Sequence, residues 1–140
     1  MNLPIKPLFT ALFFILSLAT FSCKETEETE APHPLNEATI TVLTPTEHEA
    51  VTSADSVQIT GNITGRETIH GFTLTIRKKA DNSELFTKKI HVHNTQIEIN
   101  QKWAIDKNLS DSDLLELEVI ATLDHDNHTA NKKVTFHCHH

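Results

Sequence analysis

The chain has no tyrosine, one tryptophan, three glycines and two cysteines in 140 residues. Each shortage excludes something. Two cysteines cannot build the disulfide framework that small secreted domains use in place of a core, so apolar packing has to hold any folded domain here. The three glycines form no phosphate-cradling loop, and neither an HExxH helix nor a nucleophile elbow is present, so the chain is read as non-enzymatic. Its lysines fall in scattered pairs, Lys78-Lys79, Lys88-Lys89 and Lys132-Lys133, with no basic stripe or interleaved aromatics, and the formal net charge is −7. Nucleic acid is therefore excluded as a partner. A long hydrophobic run is missing too, since the apolar stretch Leu8–Ala19 is about 12 residues, too short for a ~30 Å hydrocarbon core. In abundance stands one residue type: ten histidines.

The apolar stretch follows Lys6 and reads as the h-region of a signal peptide, residues 1–22, which export removes. The segment Thr20-Phe21-Ser22-Cys23 resembles a bacterial lipobox, which implies lipidation of Cys23 and retention on a membrane by acyl chains. Each buried methylene contributes ~0.8 kcal/mol, so several chains anchor stably where one is marginal. The alternative is an ordinary secreted protein with Cys23 as a free or paired thiol. Residues 23–37 are acidic, polar and proline-punctuated, with nothing apolar before Leu35, and read as a flexible spacer. Lys24-Glu25-Thr26-Glu27-Glu28 also resembles the surface-export signal of Bacteroidota-type lipoproteins, against the alternative of a solvated linker on a periplasmic protein. The expected location is the cell envelope, lipid-anchored at the outer membrane, facing the surface or the periplasm.

From residue 38 to 140 the dominant period is two, rich in β-branched residues, the pattern of half-buried strands. Seven strands are expected, at 39–43, 56–63, 71–77, 85–92, 96–100, 114–123 and 130–136. Ser110-Asp111-Ser112-Asp113 is suited to capping a helical turn, but the alternation of Leu115, Leu117, Val119, Ala121 and Leu123 beyond it is that of a strand. The expected fold is an all-β, seven-stranded antiparallel sandwich of the immunoglobulin or fibronectin-III kind, one domain after the signal peptide and spacer. The layout resembles small Ig-like lipoproteins of Bacteroidota-type bacteria, some with His-rich patches. The residues that carry the resemblance are His70-Gly71, His91-Val92-His93, Leu123-Asp124-His125-Asp126 and Phe136-His137-Cys138-His139. It implies fold and location, and no activity.

Residues two apart on a strand share a face, so His91 and His93 are expected to point together, opposite Ile90 and Val92. Two imidazoles are half of a zinc or copper site, with nitrogens at ~2.0–2.1 Å from the ion. The seven-strand layout groups His70, His91, His93, His125 and His128 with Asp124 and Asp126 on one rim. It sends His137, Cys138, His139 and His140 to the opposite end. That tail is a soft ligand set, although Cys138 is in phase with Val134 and Phe136, which turns its thiol inward. Solvated polar histidines are the plainer account of any single position.

Two functions follow. One is a tethered module that captures, buffers or passes on zinc or copper and releases it as pH falls toward the imidazole pKa of ~6.5. The other is an interaction module that offers loops or an edge strand to an envelope protein or glycan, its histidines incidental.

Overall fold

A computed structural model describes residues 37–52, 55–106 and 108–139. The signal segment, Cys23, nearly all of the spacer and His140 lie outside the described residues. Eight strands run in order: β1 (Ala38–Thr44), β2 (Glu49–Thr52), β3 (Ser56–Ile69), β4 (Gly71–Lys78), β5 (Glu84–Ile90), β6 (Asn94–Ala104), β7 (Leu114–Thr122) and β8 (Thr129–His139). They make two sheets, ordered β1-β3-β6 and β2-β8-β7-β4-β5. The domain is an all-β, two-sheet sandwich.

Alternation in the sequence becomes alternation of faces. Val57, Ile59 and Ile63 of β3 and Ile97, Ile99 and Trp103 of β6 turn inward from the first sheet. Phe72, Leu74 and Ile76 of β4, Leu115, Leu117 and Val119 of β7, and Val134 and Phe136 of β8 meet them from the second. Full burial of a Val, Leu, Ile or Phe side chain stabilises by about 1.5–3 kcal/mol, so these rows hold the sandwich without a covalent staple. Gly61 sits where β1 and β3 pass closest: a side chain there would run into the Thr41 carbonyl oxygen.

The outer face of the larger sheet is a lattice of ion pairs. Arg77 meets Glu118 at 2.9 Å, and Glu116 takes Lys79 at 2.7 Å and Lys133 at 3.0 Å.

Four expectations need correction. The strand count is eight, because β2 was not expected. Its four residues are too few to show a period, and only Val51 packs on the core. The sandwich is not wholly antiparallel, since β2 runs parallel to β8, from Glu49 opposite Phe136 to Thr52 opposite His139. Strand bounds also move: β3 runs on past Ile63 through a register irregularity and delivers Ile69, fully buried, to the core. The irregularity breaks the period of two, which is why the sequence pattern stopped at Ile63. Finally, no helical turn is present at Ser110–Asp113; the Asp113 N–H donates to the Ser110 carbonyl at 2.8 Å while its carboxylate accepts the Ser110 N–H at 2.9 Å, closing a turn before β7. No helix among the described residues is long and apolar enough to cross a membrane.

Candidate functional site

Three connections at one end of the sandwich bring histidines together. The chain passes from β3 in one sheet to β4 in the other through a single residue, His70, whose N–H donates to the Thr122 carbonyl at 2.8 Å. The next residue, Gly71, has φ of 139°, and a Cβ on it would collide with the Ile90 carbonyl oxygen. Only glycine combines that backbone angle with that closeness. The second connection is His91-Val92-His93, which carries the chain from β5 back to β6. These two histidines were expected to close a strand; β5 ends at Ile90 instead, and both belong to the loop. The expected sharing of a side survives, because Val92 packs on the core and leaves both imidazoles exposed.

The third connection is the β7–β8 hairpin. The Asp124 carboxylate accepts the backbone N–H of Asp126 at 2.9 Å and of His128 at 3.1 Å, an Asx-type turn, with Asn127 at φ 65° completing the reversal. The hairpin lifts His125 toward His70.

The result is a row of four imidazoles packed edge to face. His125 and His70 have ring centroids 4.3 Å apart, His70 and His93 4.7 Å, and His93 and His91 4.6 Å. The Nε2 atoms of His91 and His93 are 3.0 Å apart, one donating and the other accepting. Two nitrogens bound to one ion at ~2.0–2.1 Å stand roughly 3 Å apart as well. His70, Asp124, His91 and His125 line a shallow cavity of about 200 Å³.

Within it, His70 Nδ1 is buried without a hydrogen-bond partner. Removal from water holds the His70 pKa below the ordinary 6.5, and the neighbouring His125 and His93 imidazoles push the same way, with Asp124 opposing them. His70 is thus tuned toward neutral imidazole, the form that binds metal.

His128 does not join the row. Its Nδ1 meets the Asp124 carboxylate at 2.6 Å. Burial works to raise the Asp124 pKa, but hydrogen bonds from the His128 ring and from the His128 and Asp126 N–H groups outweigh it and hold the carboxyl below its ordinary value. Asp126 is placed in the hairpin turn, its N–H bound to Asp124. Among the described residues, no three His, Cys, Asp or Glu donors are aimed at one point as a metal ion requires. Edge-to-face packing of His70 with His93 and with His125 explains this, since those rings meet edge against face while only His91 and His93 bring nitrogens together.

At the other end, β8 separates the tail residues. Cys138 is 2% exposed and turned into the core, while His139 is exposed on the opposite face. Burial pushes the thiol pKa up to about 11. His137 shares the outer face with His139, and the described part of the tail does not gather into one ligand set.

His48 carries no signal in the sequence pattern. Its Nδ1 lies 3.2 Å from Thr135 Oγ1, and Glu47 accepts both the backbone N–H of Thr135, at 3.2 Å, and its hydroxyl. The signal was missing because the contact depends on β2 lying beside β8.

No family model matches the chain, and no curated protein does. Among solved structures it is similar to OgpA from Akkermansia muciniphila, at a TM-score of 0.51 and 15% identity over 72% of this chain and 27% of that one. A second structure, catalytically inactive OgpA in complex with an O-glycopeptide substrate, glycodrosocin, aligns at a TM-score of 0.47 and 14% identity, over 72% of this chain and 28% of that one. The chain thus spans about a quarter of OgpA's length, and the likeness is one of fold.

Proposed function

We propose that this protein is a lipid-anchored module of the cell envelope whose immunoglobulin- or fibronectin-III-like domain binds zinc or copper on its histidine rim, without catalysis. Supporting the finer fold is the strand order, in which the first edge strand divides between the two sheets as β1 and β2, with β2 parallel to the last strand. Supporting the anchor are the h-region and Cys23 in the sequence.

The observation that carries the metal reading is the contiguous row His125, His70, His93 and His91, with the unpartnered Nδ1 of His70 in its middle. Four imidazoles are a donor set for zinc or copper. His91, His93 and His125 are exposed, and exposed side chains change rotamer in ps–ns, so small rotations suffice to re-aim edge-to-face rings at a shared ion. The Nε2 atoms of His91 and His93 need to move least. His137 and His139 on β8 offer two imidazoles with no third described ligand and make at most a weaker site.

The test is isothermal calorimetry with zinc and with copper(II) on the full chain purified without an affinity tag. The expected result is one dominant site whose affinity falls by at least ~100-fold in His91→Ala/His93→Ala and stays within a factor of about three in His137→Ala/His139→Ala, ligand loss being at least as costly as the loss of a supporting partner. A wild-type chain that takes up neither metal defeats the reading.

One observation favours the second reading, an interaction module for an envelope protein or glycan: no three donors are convergent among the described residues. The calorimetry separates the two.

A further inference from the structure

A cavity of about 680 Å³ lies not at the histidine row but beside it. It opens where the first sheet's edge strand β1 meets the β7–β8 hairpin, and its size is that of a ligand site rather than a packing defect, within the ~300–1,000 Å³ such sites occupy. Its lining is of three kinds. Leu123, Ala38 and Ala130 give an apolar floor. Thr39, Thr64 and Thr129 bring hydroxyl-bearing side chains, and Glu37, Arg66 and His128 bring ionisable ones.

Arg66 is the informative residue. Its backbone N–H is fixed to the Glu37 carbonyl at 2.9 Å, which ties the start of β1 to the irregular stretch of β3. Its guanidinium is exposed and has no ion pair among the described residues, in a domain where the other arginine, Arg77, is held by Glu84 and Glu118. Glu37 lines the same cavity, and its carboxylate also lacks an ion pair among the described residues. His128 enters with its tautomer set: Asp124 occupies Nδ1, so Nε2 is the nitrogen left for a ligand.

We propose that this cavity binds a polyhydroxylated carboxylate, of which a uronic acid is the simplest example. A guanidinium with its fork free matches a carboxylate in two parallel hydrogen bonds. Threonine hydroxyls and His128 Nε2 exchange hydrogen bonds with ligand hydroxyls, and the Glu37 carboxylate accepts them. Leu123 and the two alanines lie under the carbon-bound hydrogens of a sugar ring. A simple inorganic anion leaves the floor and the hydroxyls unused, and a neutral sugar leaves Arg66 unused. The site does not depend on metal at the histidine row, so its fate is separable from that of the metal reading.

The same chemistry has two sources, a free sugar acid and the acidic end of a glycan. The full chain, held with a chelator so that no metal intervenes, is titrated with glucuronate, with glucose and with an oligosaccharide ending in glucuronate, and followed by calorimetry and amide NMR. The expected result is saturable glucuronate binding, with glucose at least tenfold weaker and with shifts at residues 37–39, 64–66, 123 and 128–130. Arg66→Gln is expected to lose at least tenfold in affinity, and His128→Gln a smaller factor. Tighter binding of the oligosaccharide assigns the site to glycan ends, and equal or weaker binding assigns it to the free acid. Arg66 is exposed, so its variant keeps the fold; an unchanged amide spectrum elsewhere checks this. The proposal is overturned if glucuronate does not saturate, if glucose binds as well, if Arg66→Gln changes nothing, or if the shifts fall elsewhere.

Discussion

The two ends of the sandwich carry nearly the same residue types and treat them in opposite ways. At one end His70, His91, His93 and His125 come from three separate connections and pack ring against ring. At the other, residues 137–139 are consecutive in sequence, yet β8 turns Cys138 into the core and leaves His139 outside. Closeness in sequence is not closeness in space once a strand forms, because successive side chains leave on opposite faces. Loops at the ends of different strands suffer no such division. A ligand set is more readily assembled by the topology of a sandwich than by any one of its strands.

The largest expected effect breaks the tail end. Cys138→Asp places a carboxyl where the chain is 2% exposed, among core residues with no partner, and an uncompensated buried charge costs several kcal/mol even after its pKa rises. Loss of the cooperative unfolding transition is expected. The neighbouring change, His139→Asp, lies on the exposed face and should stay within about 0.5 kcal/mol. Urea denaturation of the pair measures the contrast, and equal midpoints would mean that β8 does not alternate as described. The same burial, with the thiol pushed up to about 11, should make Cys138 unreactive to alkylating reagents near pH 8 until the chain is unfolded.

Next in size is the rim. Gly71→Ala puts a methyl group against the Ile90 carbonyl at a φ of 139°, and strained backbone of this sort costs about 1–3 kcal/mol. Because Gly71 follows His70 and abuts the start of the His91–His93 loop, the variant should also disturb the imidazole row. A lowered melting temperature together with shifted imidazole resonances is expected. A melting temperature lowered with the resonances unmoved would separate the glycine from the row.

How far the sequence revealed this comparison depended on range. The inward residues of β4 and β7 were legible because strict alternation needs nothing but the neighbouring residue. Cys138 was legible only in part. Its phase with Val134 and Phe136 pointed inward, but the last strand was expected to end at Phe136, which kept Cys138 among the candidate tail ligands, and β8 runs on to His139. β2 was not, since a four-residue strand takes its identity from its partner, β8, and the contact of His48 with Thr135 was hidden with it. The grouping of four rim histidines followed from the direction of the strands and the ends at which loops must lie. The fifth, His128, is diverted by a hydrogen bond to Asp124 that no periodicity encodes. Arg66 stayed invisible, because the cavity it lines exists only when β1 and the last hairpin are brought together.

The smallest effect concerns the charge state of His70, in the middle of the row. His70 is held below its ordinary pKa of 6.5 by burial and by its imidazole neighbours, so between that value and the lower folded one the unfolded chain binds the extra proton. Stability therefore rises with pH across this window and is lost as pH falls from about 6.5 toward the folded value. The carboxylates act elsewhere: Glu116, lowered first by its bond from Lys79, and Asp113, lowered first by its bond from Lys78, contribute stability above their ordinary values of 4.5 and 3.8 that is lost only under stronger acid. Denaturation midpoints taken with a chelator present, at about pH 7.5, 6.5 and 5.5, should fall with pH in the wild type and stay flatter in His70→Asn. Identical slopes in the two proteins would show that His70 does not resist protonation. The rim would then differ from the tail in the placement of its histidines alone, with no special chemistry at His70.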